Sequence, residues 1–565
     1  MKPFLPMLAL GAAAALCGCS SLPSPYPNRE PLRDEARLFT DFLSARYAEN
    51  GQDTLVAAAR YGAALAQDPD DPLLREAAIT AALAAGDPQT ALAAARLPPG
   101  PGGPLPLAQL TLAAEAIASG RYRAAQRHLE VVGGGPTDRM AALLLSAWSS
   151  NGAGDLDAAL AKLQEAEMRM RAAGIARLAA DQRGLLLVHA GRYEEARQAF
   201  TEGEPALVRL SAVDFYRGAA LERLGRPEEA REVYANRLND GYDARVDAAL
   251  ARLDSKGPLK LRLEVGEGAA IGVVTFAAAF AGLQPAELYL PYITIALLAS
   301  PGSDDLRLLL AEAQRSLGRP EAAERALAEI AATSPYAATA EISRAWLAMD
   351  RGAEDSALAA GARAAASGKR FALAAQADLN RQAQRWKEAE ALYDQLLEAD
   401  REDWRIHFLR GAVRERQGRW QEAEQDLQRA LALEPEQPEV LNYLGYGWID
   451  RGENLEEGLA LLERAVRLSP DAGHIIDSLG WAQYRLGRYD DALNNLERAA
   501  ELTPTDPAIN DHLGDLYWAL SRRREARYQW ERALSLAEEP SERLKIEQKL
   551  ADPQAAMPPA QAKPQ

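Results

Sequence analysis

One small-residue signature recurs about every 34 residues between positions 41 and 539. A period of that length restricts the chain to an array of short repeated units. Near the C-terminus Gly445, Gly480 and Gly514 fall 35 and 34 residues apart, and so do Pro435, Pro470 and Pro504. A second small position gives Ala57, Ala91, Ala125, Ala159, Ala196 and Ala230, then Ala323, Ala357, Ala389, Ala423, Gly458, Ala492 and Ala526. Thirteen units are therefore countable, and the 93-residue interval from Ala230 to Ala323 has room for about two more. In the unit 473–506, Gly480 and Ala492 leave space for two helices to approach and bury Leu479, Tyr489 and Leu496. Gly487 supplies a left-handed turn residue between the helices, and Pro504 cannot continue the second.

The order Leu479-Gly480, Gly487, Tyr489, Ala492, Leu496, Ala499 and Pro504 resembles the tetratricopeptide repeat. The resemblance implies an all-α, right-handed superhelical solenoid of helix-turn-helix units whose concave groove binds other proteins. In that family positions 2, 5, 9, 12 and 13 of the first helix face the groove. Projected onto the last three units they are Glu439, Asn442, Tyr446, Ile449 and Asp450; His474, Asp477, Trp481, Tyr484 and Arg485; and Ala508, Asp511, Asp515, Trp518 and Ala519. Of these, Asn442, Tyr446, His474, Asp477, Trp481, Tyr484, Arg485, Asp511, Asp515 and Trp518 are the expected partner-binding residues. Tyr and Trp bury much area with few rotors and keep a polar handle, which suits protein recognition. The carboxylate-gripping Lys, Arg and Asn set of chaperone-binding members is absent here, because position 5 carries Asn442, Asp477 and Asp511. A partner with basic or amide groups, or an extended backbone, is favoured.

The N-terminus has a different character. Lys2 precedes an apolar stretch of 13 residues, 4–16, which ends in Leu16-Cys17-Gly18-Cys19. That stretch is too short for a stable bilayer span and has the layout of a secretory signal. The Leu-x-Gly-Cys ending resembles a bacterial lipoprotein signal, which implies cleavage before Cys19 and acylation of that residue. Several acyl chains on one residue anchor more firmly than one. Ser20 stands where an Asp would retain such a protein at the inner membrane, so the expected location is the outer membrane, facing the periplasm. Cys17 and Cys19 are the only cysteines, so the body has no disulfide framework and depends on packing.

The net charge of −17 repels nucleic acid and anionic headgroups, which excludes both as expected ligands. The expected organisation is a signal over 1–18, a proline-bearing tether over 19–37 and a repeat array over 38–240. Degenerate repeats with an apolar segment follow over 241–305, then a second array over 306–550 and a disordered tail over 551–565. The proline- and glycine-rich stretch 98–106 reads as a long loop between repeats.

The middle departs from the pattern. Leu259, Leu261, Leu263 and Val265 alternate with charged residues, as a strand does, but with no partner strand evident an extended strut over the solenoid is expected. Residues 268–286 carry no charge, and up to Ser300 the only charged residue is Glu287. Glycines and Pro285 dilute this stretch, so it reads as two degenerate units buried against an adjoining turn or against a second copy of the chain, a possible homodimer. Catalytic and metal motifs are missing, and His128, His189, His407, His474 and His512 are scattered. No enzyme activity, cofactor or metal is expected.

The run Asn442-Tyr443-Leu444-Gly445-Tyr446, with 476–487, His512-Leu513-Gly514-Asp515 and Trp518-Ala519-Leu520, resembles one group in particular. It is similar to the large tetratricopeptide lipoproteins of Gram-negative outer membranes that serve as adaptors for C-terminal processing proteases. The resemblance implies partners in such a protease and its peptidoglycan hydrolase substrates. Ser521, where a turn glycine is expected, and Gly458, displaced by an extra residue near Asn454, depart from the pattern. A pilotin-like or outer-membrane assembly lipoprotein is the alternative reading.

Overall fold

Helix starts are written locally in the chain. Asp71 and Asp506 each accept two backbone N–H groups of a first turn, and Pro72 and Pro507 follow where no amide proton is needed. The computed structural model describes residues 30–51, 53–98, 103–172, 176–201, 210–279 and 288–552, and over these it is helical with no strand. Cys19, the signal, the tether up to residue 29 and the tail beyond residue 552 lie outside the described residues. Two compact units divide the chain, Met1–Ile330 and Ala331–Gln565.

The first unit begins with six helix pairs: α1 (Glu30–Asn50) with α2 (Thr54–Gln67), α3 (Pro72–Ala84) with α4 (Pro88–Ala95), and α5 (Pro106–Ala118) with α6 (Tyr122–Glu130). The others are α7 (Pro136–Gly152) with α8 (Leu156–Ala172), α9 (Arg177–His189) with α10 (Tyr193–Thr201), and α11 (Ser211–Arg223) with α12 (Pro227–Asp240). Then come α13 (Ala244–Asp254), α14 (Val265–Ala278), α15 (Leu290–Ala299) and a seventh pair, α16 (Asp304–Ser316) with α17 (Pro320–Ala328). The second unit holds α18 (Ala337–Asp350) with α19 (Glu354–Ala365), α20 (Arg370–Gln382) with α21 (Trp386–Ala399), and α22 (Trp404–Arg416) with α23 (Trp420–Leu433). It continues with α24 (Pro438–Arg451) and α25 (Leu455–Leu468), α26 (Gly473–Arg485) and α27 (Tyr489–Leu502), α28 (Pro507–Ala519) and α29 (Arg523–Leu536), and ends in a single helix, α30 (Pro540–Ala551).

The thirteen countable units are these thirteen pairs. Each small residue of the series sits in the second helix of its pair, and every one from Ala57 to Ala526 is buried. The first helix contributes the matching hollow: a Cβ on Gly480 would stand 2.7 Å from Leu496, and one on Gly514 would stand 2.5 Å from the ring of Trp530. Ser521 takes the left-handed conformation of the missing turn glycine at φ +62°, and Asn454 absorbs the extra residue at φ +43°. Such conformations cost a residue with a Cβ about 1 kcal/mol each, which the packing of the flanking helices sustains.

The interval between the two series is not a pair of further repeats in line. α13 packs on α11 and α12 as the first helix of a unit with no second helix. Residues 258–264 then run without helix or strand, held by Tyr216, whose hydroxyl donates to the Arg262 carbonyl at 3.3 Å, and by His189, whose Nδ1 stands 2.7 Å from the Leu263 carbonyl. Because a carbonyl only accepts, the His189 proton is on Nδ1. This is the expected strut.

α14 and α15 pack on each other and on the first helices of earlier pairs, α14 against α5, α7 and α9, and α15 against α3 and α5. The apolar helices α14 and α15 thus pack on the inner face of pairs far upstream in the same unit, and their burial arises within one chain. Glycines allow the approach: a Cβ on Gly268 would fall 2.1 Å from the Trp148 ring, and Trp148 is itself fixed by an Nε1 hydrogen bond of 2.9 Å to Gln182. Tyr292 donates to Asp138 at 2.9 Å and Thr294 to the Leu83 carbonyl at 2.8 Å. Gln314 on α16 reaches the Ala84 carbonyl at 2.7 Å, so the seventh pair returns to the second. Among the described residues no helix is long and apolar enough to cross a membrane.

Candidate functional site: an open groove on the second unit

The first helices α22, α24, α26 and α28 line a cleft of about 420 Å³. Its walls carry Glu415 and Arg416 from α22, Asn442, Tyr443, Tyr446 and Asp450 from α24, His474, Asp477 and Ser478 from α26, and Ile509 and His512 from α28, with Trp420 at one end. Buried charge holds α22 in place behind this wall: Arg410 and Arg414 both donate to Asp426, and Arg414 also reaches Glu390 at 2.8 Å. Burial alone would raise the pKa of Glu390, but hydrogen bonds from Arg414, Gln417 and Arg419 prevail and hold it at about 2.

Of the ten expected groove residues, Asn442, Tyr446, His474 and Asp477 line the cleft. The buried Oδ1 of Asn442 has no hydrogen-bond partner among the described residues. An acceptor in that state is an unfilled position for a donor. Burial lifts the Tyr446 hydroxyl to a pKa of about 12, with Asp450 and Asp477 adding to it, so it stays protonated. His474 is exposed and stands 3.3 Å from Glu439. Asp477 accepts from Nδ1 of His512 at 2.9 Å. The His512 ring stacks on Trp481 with centroids 4.1 Å apart and planes at 19°. Burial works to lower the His512 pKa, yet the charge and hydrogen bond of Asp477, with Asp511 and Asp515 behind it, raise it above the ordinary value.

The other expected residues have structural tasks. Trp481 stacks on His512 and packs on Tyr484, and its buried Nε1 has no hydrogen-bond partner among the described residues. Tyr484 is 1% exposed and belongs to the core shared by the last two pairs. Arg485 reaches across to Asp450 at 3.3 Å. Asp511 and Asp515 both accept from Lys549 of α30, at 2.6 and 2.7 Å, and Asp515 also takes the Trp530 indole proton at 2.9 Å. Tyr484 and Asp515 are therefore interior residues and not groove surface. The terminal helix occupies the side of α28 that an incoming unit would cover, and repeat position alone does not reveal it. Trp518 packs on Trp530 at 5.7 Å and lies under the Arg523 guanidinium at 3.5 Å.

Among the lining residues outside the projected positions, three carry aromatic rings: Trp420, Tyr443 and His512. Trp420 opens the second helix of its pair, is stacked under Arg451 at 4.0 Å and donates to Glu453 at 3.2 Å. A large aromatic at a helix start is its only trace in the sequence. Among the described residues no cluster of His, Cys, Asp or Glu is placed to hold a metal.

Two tetratricopeptide family descriptions match this unit, "Tetratricopeptide repeat" over 374–438 and 413–473 and "TPR repeat" over 480–521. A TPR repeat-containing protein of Pseudomonas aeruginosa is 36% identical over 91 residues, which span 16% of this chain and 15% of that protein. Among solved structures, a tetratricopeptide repeat protein from Parabacteroides merdae aligns at 16% identity and TM-score 0.38, covering 45% of this chain and 99% of its own. The Cut9-Hcn1 tetramer of the APC/C aligns at 15% identity and TM-score 0.38, covering 79% and 96%. Tetratricopeptide repeats are thus shown over 374–473 and 480–521, and the paired helices of the described residues have the all-α solenoid form that such repeats build, a class of fold used for protein–protein interaction.

Proposed function

We propose that the chain is a periplasm-facing adaptor, anchored to the outer membrane through Cys19, that recruits a C-terminal processing protease and delivers peptidoglycan hydrolases to it. The observation that carries the binding role is the cleft across α22, α24, α26 and α28, where Asn442 offers an unsatisfied acceptor beside Tyr446 and Trp420. An extended peptide supplies backbone N–H donors at that spacing and apolar side chains for the aromatic walls. Tethering protease and substrate on one scaffold raises their effective concentration with no chemistry of its own. The lipoprotein signal and the sequence likeness to protease adaptors support the location and the partners.

Affinity purification of the lipidated protein from detergent-solubilised envelopes tests this. The wild type is expected to recover a protease together with a cell-wall hydrolase, and the Asn442→Ala/Tyr446→Ala variant to lose at least one of them. Recovery of an integral outer-membrane complex instead would favour the assembly-factor reading. Absence of any protease, with hydrolase levels unchanged on deletion, would remove the adaptor reading.

A further inference from the structure

The first helix has two faces of opposite character. Toward α2 it buries Asp41, Ala45 and Ala48, and Arg60 of α2 pairs with Asp41 at 3.0 Å. At 3.6 residues per turn, Phe39, Leu43 and Tyr47 fall on the opposite side, and they are 64%, 61% and 83% exposed. They are large apolar side chains in a row, and Arg46 lies beside them with its guanidinium half-exposed next to Glu49. Elsewhere on this helix the exposed residues are mostly small or polar.

We propose that this outer face of α1 lies in the interface of the lipid bilayer, with Phe39, Leu43 and Tyr47 inserted among the headgroups and upper acyl chains. The proposal rests on the anchoring at Cys19. Only ten residues, 20–29, lie between Cys19 and Glu30, where α1 starts. A chain of that length spans at most about 40 Å, so an acylated Cys19 keeps α1 beside the bilayer at all times. A contact too weak to bind a free protein is then sufficient, because the anchor has already met the cost of association. An apolar row with a Tyr and an adjoining Arg is the composition of a helix lying in the plane of an interface.

Dimerisation through this face is less well supplied. Three such side chains offer about 500 Å² per copy when fully covered, short of the 1,200–2,000 Å² in total that a stable interface buries.

The test uses the full-length acylated protein with bimane on Tyr47→Cys, in phosphatidylethanolamine–phosphatidylglycerol vesicles with and without nitroxide-labelled lipid. Because Cys19 is acylated, its thiol takes no label. Emission is expected to shift to the blue and to fall about twofold with the nitroxide lipid, as for a probe 5–10 Å deep. Adding Phe39→Ser and Leu43→Ser is expected to abolish the quenching while the protein still sediments with the vesicles. Bimane on Leu43→Cys gives an independent readout if one variant folds poorly. Unquenched emission from protein whose acylation is verified by mass overturns the proposal and leaves the anchor intact. A blue shift without quenching shows that protein covers the face, and it also overturns the proposal. Missing acyl mass on Cys19 overturns the anchor reading, and the proposal falls with it.

Discussion

The two units present the same kind of inner face and treat it in opposite ways. In the first, α14 and α15 cover the first helices α3, α5, α7 and α9, and glycines at 268 and 272 let the covering helix approach α7 and α9 closely. In the second, the corresponding surface of α22, α24, α26 and α28 is open and lined by Asn442, Tyr446, Asp477 and His512. A groove that holds its own chain needs small, apolar contacts that never come apart. One that takes a partner keeps polar atoms unsatisfied and aromatic faces accessible. On the proposed function, the covered inner face serves stability and the open one serves recognition.

The strongest way to break this contrast is to expel the filling. Gly268→Val sets a branched side chain where even a Cβ meets Trp148 at 2.1 Å, and it is expected to cost about 3 kcal/mol. Urea unfolding followed by tryptophan fluorescence measures the loss, and protease cleavage within α14 or α15 reports their release. Next in size is Lys549→Met, which leaves Asp511 and Asp515 without their cation. Burial already pushes the Asp515 pKa up despite Lys549, so an expected loss of about 2 kcal/mol should shrink toward acid pH, where that carboxyl takes a proton. A stability unchanged by Lys549→Met would show that α30 does not cap the second unit.

Asn442→Ala with Tyr446→Ala sharpens the contrast from the other side. Stability should change by only about 0.5–1 kcal/mol, while affinity for a groove peptide falls on the order of tenfold or more, measured by calorimetry. Equal losses in both would make these residues part of the packing. The smallest effect concerns His512. Its folded pKa is raised, so the Asp477–His512 pair adds stability that is fully present below the unfolded value of about 6.5. That stability is lost as pH rises through the higher folded value. The urea midpoint should therefore drop between pH 6 and 9 in the wild type, and drop less in His512→Gln.

Much of this architecture was legible from the chain. A small residue every 34 positions marks a place where two helices touch, and contact of that kind is local, so all thirteen from Ala57 to Ala526 fall in buried second helices. Within the interval 241–305 the strut was legible from its alternation, but the apolar stretch after it was legible only as buried. α14 and α15 are apolar on all sides, which says that something surrounds them, whereas their neighbours lie up to 211 residues away, as in the Thr294 to Leu83 hydrogen bond. Within the groove, Asn442 and Tyr446 follow from repeat position. Asp515 and Tyr484 share the same kind of position yet are buried, because α30 and the Trp481–His512 stack close over that end, and repeat position shows neither the extra helix nor the contact between two neighbouring units.

That 211-residue separation also sets a timetable. At 5–20 residues per second, synthesis needs roughly 10 to 40 s to carry the chain from Leu83 to Thr294. For that time the early helix pairs exist while their inner face lacks its covering, and α15 arrives to close that hollow before the residues of the second unit, whose cleft stays uncovered by its own chain, have been made.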